Sequence, residues 1–166
     1  MSAGYKNLPA TTFDTDRWLT PRWVLDPLGT FDLDPCGAPG WKTANEVWTP
    51  EEAGDGLSLP WSGRVWLNPP YGSAMTAWLK RMAEHQHGTA LVFARTETAA
   101  FHDYLWPYAS AILFLRGRIT FLRPDFTEPD ANSGAASILV AYGRDDVAKL
   151  QASGLPGHLV HLKWIL

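Results

Sequence analysis

Four consecutive residues, Asn68, Pro69, Pro70 and Tyr71, carry the most distinctive chemistry in this sequence. Each proline fixes φ near −65° and removes a backbone donor, so the carbonyl oxygens of this stretch remain acceptors beside the side-chain oxygen of Asn68. Two such oxygens can hold the two hydrogens of a planar NH₂ group while the Tyr71 ring stacks on its plane. Holding those hydrogens localises the lone pair on nitrogen. The pattern therefore predicts a site that makes a conjugated amine nucleophilic without a strong base.

The same tetrapeptide also fits an ordinary turn, because Asn, Pro and Gly are common turn residues. Its position favours a site, since residues 63–67 predict an apolar strand directly before it. Residues 73–87 predict a helix after it, capped by Ser73. A strand that runs into two prolines and then a helix is an unusual place for a surface turn.

A second strand end carries carboxylates. The alternation of residues 31–34 predicts a strand that ends at Asp34, because Pro35 cannot continue a ladder. Ligands of parallel sheets bind beyond the carboxyl ends of the strands. We therefore expect Asp34 and Asn68 to share one crevice.

Strand and helix patterns alternate along the whole chain. We predict strands at 31–34, 45–48, 63–67, 90–94, 111–115, 137–142 and 158–165, and helices at 20–28, 73–87, 98–106 and 145–151. Residues 116–122 are expected to form a hairpin arm. The alternation predicts an α/β fold with a mostly parallel central sheet flanked by helices. We expect residues 1–13 to be a flexible arm and residues 14–166 to be a single domain.

Composition excludes several classes of protein. The chain has 166 residues, of which 46% are hydrophobic and 19% charged, so it can build a core and is not disordered. Its apolar runs are too short to cross a membrane. Without a signal-peptide pattern and with Cys36 as its single cysteine, it is expected to be cytoplasmic and free of disulfides.

Charge and histidine placement limit the partners. The net charge of −3 means that attraction to a nucleic acid must be local, and the arginines between positions 95 and 123 are the one candidate region. The alternative interpretation, to which we give equal weight, is that these arginines are ordinary surface residues. The pairs His85/His87 and His158/His161 lack cysteine or carboxylate partners at metal-ligand spacing, so we expect no metal.

Residues 67–72, Leu-Asn-Pro-Pro-Tyr-Gly, resemble motif IV of the S-adenosylmethionine-dependent amino-methyltransferases, which methylate the exocyclic amine of adenine and some other planar nitrogens. Three more stretches match motifs of that group in the expected order, at residues 19–21, 32–37 and 55–57. With Trp18, Trp61, Trp78 and residues 117–121, the pattern is similar to the small phage-type N-6-adenine DNA methyltransferases of the Dam family. The similarity covers residues 14–143.

The resemblance implies a Rossmann-like class I methyltransferase that transfers the methyl group of S-adenosylmethionine to N6 of adenine. It implies double-stranded DNA as substrate, base flipping, a phage or prophage origin in a bacterial host, and protection of DNA from restriction. The implied catalytic residues are Asn68, Pro69, Pro70 and Tyr71. The implied cofactor contacts are Thr20, Pro21, Asp34, Pro35, Cys36, Asp55, Leu57 and Asn68, and the implied substrate contacts are Tyr71, Arg116, Arg118 and Phe121.

The match departs from the family pattern in the glycines after Asp34. A Gly-x-Gly is expected there, but the chain spreads these residues as Gly37 and Gly40. Glu46 is the candidate for the acidic residue that contacts the cofactor ribose. Core packing is a strong alternative for Phe121, and an exposed, charge-protected sheet edge is the alternative for Arg116 and Arg118.

Two other functions stay open at this point. The Asn-Pro-Pro-Tyr motif also serves methylation of other planar amines, namely an RNA adenine or a protein glutamine. A chain that had lost catalysis could act as a DNA-binding module, although an intact motif from Asn68 to Tyr71 argues against it.

Overall fold

The computed structural model of the protein describes residues 18–162. The helices are Arg22–Leu25 (α1), Pro50–Ala53 (α2), Met75–His85 (α3) and Arg144–Ala152 (α4), with a 3₁₀-helix at Asp26–Leu28 and a π-helical turn at Phe101–Leu105. The strands are Leu33–Asp34 (β1), Glu46–Val47 (β2), Val65–Leu67 (β3), Gly88–Phe93 (β4), Ala111–Leu115 (β5), Ser137–Tyr142 (β6) and Gly157–His161 (β7). The expected arm at residues 1–13 lies outside the described residues.

Within residues 18–162 the strands form one seven-stranded sheet in the order β2-β1-β3-β4-β6-β5-β7. The first four strands in this order pair in parallel. By contrast, β6 is antiparallel to both β4 and β5, and β7 is antiparallel to β5. The prediction of a mostly parallel sheet was therefore wrong. The longest strands of the sheet, β4 and β6, pair antiparallel. Between β5 and β6 no helix carries the chain across the sheet, so the chain returns antiparallel beside the strand it has just left.

The core consists of two hydrophobic layers, one on each face of the sheet. Strand side chains alternate between faces, so Val65 and Leu67 point to one layer and Trp66 to the other. The first layer is covered by α3 through Trp78, Leu79 and Met82. The second is covered by α1 and α4 through Val24, Leu25, Val147 and Leu150. The α/β class and the placement of helices on both faces follow the prediction.

A buried ion pair ties α4 to the sheet. Arg64 Nε lies 2.8 Å from Asp146 Oδ1, and the Thr89 hydroxyl donates to the same oxygen over 2.8 Å. Arg64 also donates to the carbonyl oxygen of Leu28 and lies over the Phe31 ring. This network lies on the face of the sheet that carries the second hydrophobic layer, and it holds α4 and the 3₁₀-helix against that face.

Several local predictions are confirmed and several are wrong. The predicted first helix is present as α1 and the following 3₁₀-helix, which ends at Gly29 with φ of +74°. Ser73 does not cap α3, whose N-cap is Ala74 without a side-chain bond from any described residue. The predicted helix at 98–106 is reduced to the π-helical turn. The helix predicted near the C-terminus is present as α4.

The predicted hairpin arm at residues 116–122 is also absent. Leu122 instead forms an isolated antiparallel bridge with Leu19, and Ile119 and Phe121 bury their side chains in the second hydrophobic layer. Gly117, with φ of +83°, turns the chain away from β5. Burial of these apolar side chains replaces the expected pairing.

No helix in the described part of the chain is long and apolar enough to span a membrane.

Candidate active site

A cavity of about 670 Å³ opens at the carboxyl ends of β1 and β3. The chain passes from β1 to β2 on one side and then to β3 on the other, so the cavity lies where the strand order reverses, the usual ligand crevice of open sheets. Its volume is typical of small-molecule sites. Asp34 and Asn68 both line it, as predicted from their positions at strand ends.

The Asn68 side-chain amide has a defined orientation. Its Nδ2 donates to the Trp18 carbonyl oxygen over 3.0 Å and to Thr20 Oγ1 over 3.2 Å. A carbonyl oxygen only accepts hydrogen bonds, so the nitrogen must face Trp18 and the oxygen must face away. Asn68 Oδ1 is buried and has no hydrogen-bond partner among the described residues. A buried acceptor left in this state predicts a ligand that donates to it.

Pro69, Pro70 and Tyr71 line the same cavity. The Tyr71 ring stacks on Phe93 at the end of β4, with ring centroids 4.2 Å apart and planes 12° apart. Burial raises the pKa of the Tyr71 phenol, which therefore stays neutral. Its hydroxyl is buried and lacks a partner within residues 18–162. The ring is thus supported from one side and held at the cavity wall.

Asp34 places a buried carboxyl group in the cavity. Burial raises its pKa to about 6, although hydrogen bonds from the Thr43 hydroxyl and the Cys36 backbone amide oppose the shift. No lysine or arginine in the described part of the chain forms an ion pair with it. At neutral pH this carboxylate has no counter-ion within residues 18–162, so the site suits a cationic group of a ligand.

Cys36 connects the two strand ends. Its Sγ donates to the main-chain oxygen of Asn68 over 3.4 Å, while its backbone nitrogen donates to Asp34 Oδ1 over 3.1 Å. Burial and the nearby Asp34 charge raise the pKa of the Cys36 thiol, so it remains a protonated donor. The residue holds the carboxylate and the Asn-Pro-Pro turn in one arrangement.

Asp55 and Leu57 line the cavity from the loop after α2. Asp55 Oδ1 accepts a hydrogen bond from the Leu57 backbone nitrogen over 3.0 Å. The loop is pressed against the end of β1, because a Cβ at Gly56 would lie 2.0 Å from the Pro35 carbonyl oxygen. Trp61 Nε1 donates to the Gly56 carbonyl oxygen over 2.8 Å, and this hydrogen bond holds the loop in place.

Of the implied cofactor contacts, Thr20, Asp34, Pro35, Cys36, Asp55, Leu57 and Asn68 lie at the cavity. Pro21 lies instead at the N-cap of α1, where its carbonyl oxygen accepts the Val24 and Leu25 amides. Glu46 is exposed in β2 and is also outside the described cavity lining.

Three implied substrate contacts lie away from the cavity lining. Phe121 is 4% exposed and packs in the hydrophobic layer beneath α1, so core packing accounts for it. Arg116 and Arg118 are exposed and follow β5, which runs in the same direction as β4. Both therefore lie at the same edge of the sheet as the cavity.

Three residues at the site are not predicted by the sequence. Thr43 bonds Asp34, Trp41 lines the cavity, and Phe93 supports Tyr71. Thr43 and Trp41 lie in a Gly- and Pro-rich stretch without periodicity, and Phe93 belongs to an apolar strand pattern that indicates only core. None of the three carries a sequence signal for its role.

The described residues hold no group of three or more His, Cys, Asp or Glu side chains that could bind a metal ion. The chemistry of this cavity is carried by amide and carbonyl acceptors, one buried carboxyl group and aromatic rings.

Comparison with protein families assigns this sequence to a class of DNA-modifying enzymes. A family model described as DNA N-6-adenine-methyltransferase (Dam) matches residues 9–148. The chain belongs to this family, as its motifs predict. Neither the curated proteins nor the solved structures gave a match.

Proposed function

We propose that this protein transfers the methyl group of S-adenosylmethionine to N6 of adenine in double-stranded DNA. We further propose that residues 14–166 form one catalytic domain of the Rossmann-like class I methyltransferase type. The observation that carries the proposal is Asn68 Oδ1, a buried acceptor at the cavity wall that finds no donor within residues 18–162. An adenine amino group is a donor of the right kind, and the family acts on that group.

The Asn68 side-chain oxygen and the Pro69 carbonyl oxygen would hold the two hydrogens of the amine. Pro70 keeps the turn rigid, so both acceptors stay in place before the base arrives. Tyr71, backed by Phe93, stacks on the base plane. With the amine polarised and held, positioning supplies most of the rate, and no residue has to act as a strong base.

The cavity residues fit S-adenosylmethionine, whose bound form supplies an electrophilic methyl group. Asp34 suits the ammonium of the methionyl part, because its buried carboxylate lacks a described counter-ion. Thr20, Pro35 and Cys36 would complete that end. Asp55 and Leu57, held by the Gly56 contact, would receive the adenosine part. Pro21, the N-cap of α1, is outside the described cavity lining and would act through its neighbour Thr20.

The amine of a paired adenine is hydrogen-bonded inside the duplex, so the target base must be flipped out at a cost of a few kcal/mol. Arg116 and Arg118, exposed at the same sheet edge as the cavity, would contact the phosphates. In the cytoplasm of a bacterial host, a phage- or prophage-encoded enzyme of this kind would shield DNA from restriction.

Labelled S-adenosylmethionine tests the proposal when the protein is incubated separately with unmethylated DNA, RNA and a protein extract. Nucleoside analysis of the DNA should show N6-methyladenine. Label confined to RNA or protein would replace the substrate but keep the role of Asn68. Cofactor binding without any transfer would contradict the proposal and indicate a binding module.

A further inference from the structure

An aromatic side chain is presented to solvent at the mouth of the cavity. Phe126 is 49% exposed and lies in the turn 123–127, within the long connection that leaves β5 at the cavity edge of the sheet. Its ring packs on Trp41, with centroids 5.8 Å apart and planes 31° apart. Because Trp41 lines the cavity, Phe126 stands at its rim.

The turn holds Phe126 in a fixed and uncommon conformation. Its φ is +67°, a region that bulky side chains rarely adopt. The Phe126 amide donates to the Arg123 carbonyl oxygen over 2.9 Å, and the Arg123 amide donates to the Thr127 carbonyl oxygen over 2.8 Å. Asp125 Oδ1 accepts the Thr127 amide and hydroxyl. Strained residues of this kind cluster where proteins clamp ligands.

Trp41 is itself anchored. Its Nε1 donates to the Thr20 carbonyl oxygen over 3.0 Å, and the Arg22 guanidinium lies 4.5 Å from its ring centroid. A Cβ at Gly40 would lie 3.3 Å from the Phe126 ring, so the turn packs closely on this loop. Arg22 contacts Trp41 and Trp41 contacts Phe126, and these three side chains are here called the rim surface. Two acidic residues flank it, namely Asp26 beside Arg22 and Asp125 beside Phe126.

We propose that the rim surface stacks on a nucleobase of the DNA that neighbours the base entering the cavity. The proposal rests on the function proposed above and adds a second contact site outside the cavity. Every nucleobase offers a flat face to an aromatic ring, so the contact is independent of sequence. Half-exposed Arg22 lies 3.9 Å from Asp26 Oδ1, and it would turn its guanidinium from this weak surface ion pair to the adjoining phosphate. A net charge of −3 makes such local contacts necessary for affinity.

The test compares Phe126→Ala with Phe126→Tyr, which keeps the ring. The dissociation constant for a DNA duplex is measured by fluorescence anisotropy, and S-adenosylmethionine affinity is measured separately by calorimetry. We expect Phe126→Ala to weaken DNA binding about tenfold, the effect of losing one base–aromatic stack. Phe126→Tyr should restore it, and neither change should alter cofactor affinity more than about twofold.

Trp106→Ala is the matched control. Trp106 is also an exposed aromatic, at 37%, but it precedes β5 and so lies at the opposite edge of the sheet. Its removal should leave DNA affinity unchanged. If wild-type protein methylates adenine in DNA while Phe126→Ala binds DNA as tightly as wild type, the rim surface has no such role. If wild-type protein neither binds nor methylates DNA, the proposed function fails as well.

Discussion

Asn68 can present only its oxygen to the cavity, because the Trp18 carbonyl and the Thr20 hydroxyl oxygen accept from its nitrogen. A rotated amide would place its oxygen against the Trp18 carbonyl oxygen, and two acceptors would then face each other. Thr20 is therefore a positioning residue for the acceptor as well as a wall of the cavity.

Replacing Thr20 tests that positioning. Thr20→Val keeps the shape but removes the acceptor, so we expect the single-turnover rate of methyl transfer to fall about tenfold or more, the loss of one orienting hydrogen bond. Thr20→Ser keeps the hydroxyl and should retain most of the rate. S-adenosylmethionine affinity, measured by calorimetry, is the companion readout. A parallel loss of rate in both variants would assign Thr20 to packing instead.

Asp34 makes the unligated protein sensitive to pH. Its pKa is raised from 3.8 to about 6, so the folded protein binds the proton more tightly than the unfolded chain does. The contribution of Asp34 to the free energy of unfolding is then greatest below the unfolded pKa and falls as the pH rises towards about 6, by an amount on the order of 3 kcal/mol. Asp34→Asn should abolish that fall, of which urea unfolding at pH 4.5 and pH 7 would capture about 2 kcal/mol. An equal pH dependence in both proteins would refute this assignment.

The sequence predicts those site residues that stand next to one another in a motif. Asn68 to Tyr71 and Asp34 to Cys36 each occupy consecutive positions at a strand end, so order along the chain is sufficient. Thr43 reaches Asp34 from nine residues away, through a loop whose path depends on tertiary packing. For Phe121 the sequence suggests a substrate contact, because this aromatic residue lies in a basic segment. In the structure its side chain is buried, and the next residue, Leu122, pairs with Leu19.

At the scale of elements, the loop after α2 must approach the end of β1 very closely. Gly56→Ala would place a methyl group 2.0 Å from the Pro35 carbonyl oxygen, so the backbone must move. We expect a loss of about 1–3 kcal/mol in stability and weaker cofactor binding. Gly134→Ala is the control, since its Cβ would meet no atom within 4 Å. Equal stabilities in thermal unfolding would show that the loop can give way.

The elements themselves were predictable where hydrophobic period and breakers agree, as in β3, α3 and β4. Strand direction was not, because the residues of β5 and β6 are apolar whichever way they run. Their antiparallel pairing comes from the long connection between them, which contains no helix to cross the sheet. The π-helical turn at Phe101–Leu105 also differs from the prediction, because the sequence indicates a longer regular helix at 98–106.

At the scale of the whole molecule, the net charge of −3 limits electrostatic attraction to DNA. In the function proposed above, Arg116 and Arg118 at the cavity edge make the contacts with the phosphates. Because each neutralised phosphate contributes about 0.9 to the slope of log affinity against log salt, removing two contacts lowers that slope by about 2. We expect this change for the double variant Arg116→Gln, Arg118→Gln, in DNA binding measured at several salt concentrations. An unchanged slope would place the phosphate contacts elsewhere.

The role of Asn68 is tested most directly by the methyl-transfer rate of Asn68→Ala on DNA, measured in a single turnover together with S-adenosylmethionine affinity. Loss of the oriented acceptor should lower the rate about 100-fold or more, the usual cost of removing one preorganised polar group at a reacting centre. Cofactor affinity should stay within about tenfold, since Asp34 and the Asp55 loop remain. Transfer at the wild-type rate would contradict the assignment of Asn68 as the group that holds the amine.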